Sequence, residues 1–179
     1  MASELTVQTI KGPTSGGNAN KIIVPAGQTL TAPGHVIQGV TNTFSGSSTS
    51  SSSYAAMATC GSITTKVANS KLLVTASAQC QVGRSTSQDG RGNFQLRSST
   101  DSYSASLHTQ VVVNYRESSN GWNQPVVPFH LIHSPSVSAG TTVTYKIYGR
   151  VAATNPGTYV IDAWGEGAIG QLTILEIAP

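Results

Sequence analysis

Between Thr141 and Val151 the chain alternates apolar and polar residues for longer than anywhere else. Val143, Tyr145, Ile147, Gly149 and Val151 fall on one side of an extended strand, and Thr142, Thr144, Lys146, Tyr148 and Arg150 on the other. A strand with a single dry face must lay it on a second sheet. Leu72 to Val82 repeats the pattern with Leu72, Val74, Ala76, Ala78, Cys80 and Val82 on one face, small residues suited to a tight interior. Leu107 to Tyr115 alternates as well, with Leu107, Val111, Val113 and Tyr115 together. Shorter extended runs are Val36 to Val40, Ile63 to Thr65, Phe94 to Leu96, Tyr159 to Trp164 and Leu172 to Ile177. Val126 to His133 is extended too, with Pro128 favouring a sheet edge or a bulge.

Turn residues punctuate these runs at Ala68-Asn69-Ser70, Gln88 to Asn93, Asn120-Gly121 and Asn155-Pro156-Gly157. Gly46 to Ser53 reads either as a flexible loop or as a polar edge ribbon, and an exposed loop is expected. No segment carries a long apolar repeat of helical period. About eight to ten strands in this rhythm predict an all-β domain over residues 34–179, an antiparallel β-sandwich or jelly roll.

Residues 1–33 differ. Leu5, Val7 and Ile10 suggest one short strand, Gly12-Pro13 and Ser15 to Asn18 break it, and Lys21 to Pro25, carrying Ile22 and Val24, resumes an extended course. This is too little chain to fold alone, so an extended N-terminal arm that docks on a partner by strand addition is expected.

The length of 179 residues is ample for one core without disulfide staples. Charged residues make up 9%, against about 25% in an average soluble domain, which predicts a polar but nearly uncharged surface. The formal charge of +3 is spread thinly, with Arg84, Arg91 and Arg97 the one local concentration, so nucleic acid is not expected as a partner. The start of the chain has neither a basic n-region nor an apolar h-region, and no stretch reads as a membrane span. Cys60 and Cys80 could meet across strands, but free buried thiols are expected.

Four stretches resemble tailed-phage virion proteins of the tail-fibre and structural type: Asn20 to Leu30, Ala32 to Gln38, Ile63-Thr64 with Ser70 to Val74, and Leu172 to Ile177. The closing half, with Gly140 to Lys146 before the terminal strand, is also similar to the trimeric jelly-roll heads of the C1q and tumour-necrosis-factor type. No collagen-like stalk is present, and Gly39-Val40 with the serine tract departs from the usual run. The resemblance implies a homotrimer on a virion, assembled in the host bacterial cytoplasm. Tyr145, Ile147 and Tyr148 are the candidates for its interface. The arm would then bind another virion protein, a major capsid or tail protein.

Catalysis finds no footing in the pattern. Gly165 to Gly170 matches G-x-G-x-x-G but lies between strands, with no helix to hold a pyrophosphate, so no cofactor is expected. His130 and His133 point to opposite faces of a strand, which argues against a shared metal. Asp162, Glu166 and Glu176 are not placed around any recognisable cleft. A fibre shaft would need heptads or repeated β units, and about 33 arm residues reach only about 110 Å when fully extended. A capsid decoration protein is therefore expected, of the cement or head-fibre kind. The alternative is a small tail-fibre or receptor-binding tip that recognises a host surface glycan, with Trp122 as the contact.

Overall fold

The strands at 71–79, 142–151 and 170–177 bury every second residue, a pattern that lays two sheets face to face. The computed structural model describes residues 11–17, 32–84, 90–114, 122–123, 126–151, 159–162 and 170–179. The chain divides into two units, 1–31 and 32–179. In the first, residues 14–17 form bends and a turn with Gly16 at φ +86°. Leu5, Val7, Ile10, Ile22 and Val24 lie outside the described residues.

The second unit is all-β, and its described residues contain no α-helix. Its strands are β1 (Val36–Phe44), β2 (Ser48–Thr49), β3 (Ala55–Thr64), β4 (Lys71–Gln79), β5 (Gln81–Arg84) and β6 (Gly90–Ser98). After a 3-10 turn at Ser99–Asp101 come β7 (His108–Asn114), β8 (Trp122–Asn123), β9 (Val126–His133), β10 (Thr142–Val151), β11 (Tyr159–Asp162) and β12 (Gly170–Ile177). One sheet runs β1-β12-β4-β9, the second β3-β10-β6-β7, and a small third sheet β2-β11-β5-β8. All pairings are antiparallel. Counting only the eight long strands in chain order, the two main sheets read 1-8-3-6 and 2-7-4-5. That is the double Greek key of a jelly roll.

Val143, Tyr145, Ile147 and Val151 are buried, as the alternation in β10 predicts, and so are Leu72, Val74, Ala76, Ala78 and Cys80 of β4 and its exit. They meet Phe94 and Leu96 of β6, Val127 and Phe129 of β9, and Leu172 and Ile174 of β12. Pro128 sits in β9 at a sheet edge, where a missing N–H costs least. Several expectations change. Leu72 to Val82 is two strands, β4 in a main sheet and β5 in the small one, and β6 begins at Gly90, inside the turn expected over Gln88 to Asn93. Strand β3 begins at Ala55, well before the run read from Ile63, because Met57, Ala58 and Cys60 also turn inward. The serine tract is more than a loop: Ser48 and Thr49 pair with Asp162 and Ile161 as a polar edge ribbon.

Each buried Phe or Tyr among the described residues has a small residue in register across the ladder. Phe44 faces Gly170, Phe94 faces Gly149, Phe129 faces Ala76, and Tyr145 faces Gly61. Gly61 does a second job. The register between β10 and β3 shifts next to it, its φ is +146°, and a Cβ there would stand 2.5 Å from Asn42 Nδ2. Few residues but glycine adopt that backbone. Gly61→Ala is therefore expected to cost about 1–3 kcal/mol through strain and overpacking, read as a lower urea midpoint at unchanged slope.

Candidate functional site

The polar groups of this domain fall into three places, and only two of them face outward. The buried set comes first. Glu176 is fully buried in β12, and its carboxylate accepts from Lys66 N at 2.8 Å, Val67 N at 3.1 Å and Gln38 Nε2 at 2.5 Å. Burial pushes this carboxyl up, but the two backbone N–H groups and the Gln38 amide outweigh it and hold it below its ordinary value. The Gln38 amide also donates to Thr64 O, and the Thr65 hydroxyl bonds the carbonyls of Ser138 and Thr141. Glu176 thus closes one end of the sandwich as a structural group.

His133 and Tyr145 form the other buried pair, with Nδ1 2.9 Å from the phenol oxygen and the rings edge to face. Burial lowers the imidazole below its ordinary value, partly offset by the charge of Asp101, and burial raises the Tyr145 phenol. Cys60 and Cys80 are free and buried, and burial pushes both thiols up to about 12. Such thiols are poor nucleophiles.

The outer face of β1-β12-β4-β9 is the second place. Cross-strand partners line up there in rows: Ile132, Leu73, Leu175 and Gly39, then His130, Thr75, Thr173 and Thr41. Ile132 is 63% exposed and Val126 64%. Leu175 leans over Gly39, where a Cβ would stand 2.9 Å from its Cδ2. Thr41 and Thr173 share a hydroxyl contact at 3.2 Å. A shallow cavity lies among Thr75, Ser77, His130, Gln171 and Thr173. Its one titratable side chain is His130, so no acid and base converge in it.

The third place is the outer face of β3-β10-β6-β7, where cations and tyrosines alternate. Lys146 Nζ sits 4.4 Å above the Tyr103 ring, whose centroid is 6.2 Å from that of Tyr148. The Arg97 guanidinium lies 4.6 Å from Tyr148 and 5.0 Å from Tyr54, and Arg150 lies 4.7 Å from Tyr54. Arg97 also donates to Gln95 Oε1 and to Tyr103 O. Among the described residues none of these cations forms an ion pair.

Against the expected site residues, Tyr145 and Ile147 need correcting. Both are fully buried inside one chain, so neither can line a contact between subunits, and only Tyr148 of that trio faces outward. Trp122 has its backbone in β8, paired with Gly83, and its side chain lies outside what is described. His133 is buried and His130 exposed, as the strand geometry requires. No group of metal-ligating side chains occurs among the described residues, and no helix there is long and apolar enough to cross a membrane. Asp162 is described by backbone only, and Glu166 and Gly165 to Ile169 lie outside the described residues. Sequence reading placed Lys146, Tyr148 and Arg150 on one face but missed Tyr54 and Tyr103, which only the fold brings beside them.

No protein-family model matches the chain, and no curated protein does. Among solved structures it is similar to that of the infectious bursal disease virus Gx strain, with 11% identity and a TM-score of 0.36 over 89% of this chain and 47% of that one. The VP2 subviral particle of infectious bursal disease virus gives 12% and 0.33 over 93% and 50%. Desmodium yellow mottle tymovirus gives 12% and 0.29 over 100% and 98%. The chain spans about half the length of the first two. The architecture stands on its own strand order, not on these likenesses.

The signs of the two buried shifts fix the acid behaviour. A depressed Glu176 adds stability that is present above its unfolded value of about 4.3 and is lost as pH falls through the folded value. A depressed His133 means that the unfolded chain binds the proton more readily, so stability also falls as pH drops below about 6.5. Urea denaturation should show a plateau between about pH 7 and 8, a decline below it, and a second decline above about 8.5, where the unfolded chain gives up the Cys60 and Cys80 protons first. Glu176→Gln, which turns an amide towards two N–H donors, should cost about 1.5–3 kcal/mol at pH 7, and the gap to the parent should narrow at acid pH.

Proposed function

We propose that this chain is a non-enzymatic structural protein of a tailed-phage virion, a homotrimeric knob on the particle surface, acting as a capsid decoration protein of the cement or head-fibre kind. One observation carries the reading: the outer face of β1-β12-β4-β9 is polar without charge apart from Lys71 and His130, and an apolar row of Ile132, Leu73 and Leu175 crosses it. Subunit contacts in permanent assemblies are depleted in charge and richer in apolar side chains. Self-association on this face replaces the β10 interface expected from sequence, because its residues are free of the core. The phage setting rests on the resemblance of the Asn20 to Gln38 and Leu172 to Ile177 stretches. The arm, residues 1–33, is the anchor to a capsid or tail protein.

A second reading makes the knob a small tail-fibre tip that binds a host surface glycan through Trp122. The place of β8 at an edge of the third sheet favours it.

Light scattering should give three times the 18.5 kDa chain mass at micromolar concentration, and Ile132→Glu should shift the population towards monomer with an unchanged circular dichroism spectrum. A monomeric parent protein removes the trimer. Particles lacking the protein should lose their genome at lower temperature than complete ones, since a ligand of the assembled shell stabilises it by mass action. Equal robustness with lost adsorption to cells would replace decoration by the tip reading. A chain beginning at Pro33 should fold and trimerise yet fail to bind particles.

A further inference from the structure

The ladder of Lys146, Tyr103, Tyr148, Arg97, Tyr54 and Arg150 gathers three cations on one face of the sheet. Lys146 and Arg97 are direct cross-strand partners, and like charges opposite one another destabilise a sheet. The only carboxylates whose side chains are described are Asp101 and Glu176. Asp101 is taken up by Ala105 N and the Ser104 hydroxyl, and Glu176 is inside the sandwich. Arg150 Nε is shielded from solvent and has no acceptor among the described residues. Three cations are thus held by aromatic rings, with no carboxylate partner among the described residues.

From this geometry we infer that the outer face of β3-β10-β6-β7 is a binding site for an acidic polysaccharide, a linear polymer carrying carboxylate groups. Lys146, Tyr148 and Arg150 follow one another on one side of β10, so the backbone positions that carry the two end charges are about 13 Å apart along the strand. An extended polyanion can lie along such a line, its oxygens accepting from guanidinium N–H groups already held in place. Preorganised cations lose little freedom on binding.

Other occupants fit less well. Single-stranded nucleic acid needs open ring faces for base stacking, and each of these three rings already carries at least one cation. A second copy would set like charge against like. A protein partner needs an apolar centre, and Val111 is the one large apolar side chain exposed on this sheet among the described residues. The inference does not rest on the virion reading; it concerns the opposite sheet from the proposed subunit contact.

The test is calorimetry of the full chain with oligogalacturonate, with maltohexaose as a neutral sugar and a thymidine oligonucleotide as a non-sugar polyanion. Binding of the uronate at low salt is expected, weakened by about tenfold or more at 0.5 M salt, where the screening length falls to a few ångströms. Arg97→Gln and Arg150→Gln should each weaken it by about tenfold, the loss of one charge-assisted contact, with melting temperatures checked to show intact folding. Lys71→Gln, on the other sheet, should leave it unchanged. No uronate binding at low salt overturns the proposal. So does equal binding of maltohexaose, tighter binding of the oligonucleotide, or full affinity in a folded Arg97→Gln/Arg150→Gln double variant.

Discussion

A sandwich of two sheets leaves roughly 10 Å between them, so a ring can enter only where its neighbour across the ladder gives way. Four rings do so here, opposite Gly170, Gly149, Ala76 and Gly61. Strand β10 takes part in two of these exchanges. Its Tyr145 is in register with Gly61 of β3, beside which Asn42 packs, and its Gly149 is in register with Phe94 of β6 and leaves room for Met57. A slip of one residue in either pairing would turn every inward side chain outward and set the rings against larger partners. The four pairs therefore hold the register of both main sheets.

The polar interior depends on that register. Glu176 can collect the N–H groups of Lys66 and Val67 only because Gln38 and Leu72 flank it on either side. A carboxylate without water must be given such donors by the protein. Likewise His133 meets Tyr145 only because β9 and β10 face each other across the core.

Alternation made β10, β4 and β12 legible in the sequence, and with them the fold class, because a period of two survives whatever the strand pairs with. It could not say what the dry face touches. Tyr145 and Ile147 belong to the core of one chain, although the same pattern would serve a contact between chains. Small residues were readable as close packing, but not as partners of particular rings, since those partners lie 53 to 126 positions along the chain. Glu176 looked like a loose acid because its donors, Lys66 and Val67, are about 110 positions away. Tyr54 and Tyr103 carried no local mark. They matter only once β3, β6 and β10 are side by side.

Strand β12, which follows all the others described, lies between β1 and β4 and hydrogen-bonds both. Until residues 170–177 have left the ribosome, the sheet has a gap at its middle and both flanking strands present unpaired edges. Folding of this domain therefore waits until residues 170–177 are available, and a nascent chain stalled short of Gly170 is a candidate for edge-to-edge aggregation or chaperone capture. The same pairing brings the two ends of the domain together, with Gly34 N bonded to Ala178 O and Ala178 N to His35 O. A cargo fused after Pro179 would emerge beside the entry of the first strand, so a tag placed there reports on the closing of the sheet as directly as any probe within it.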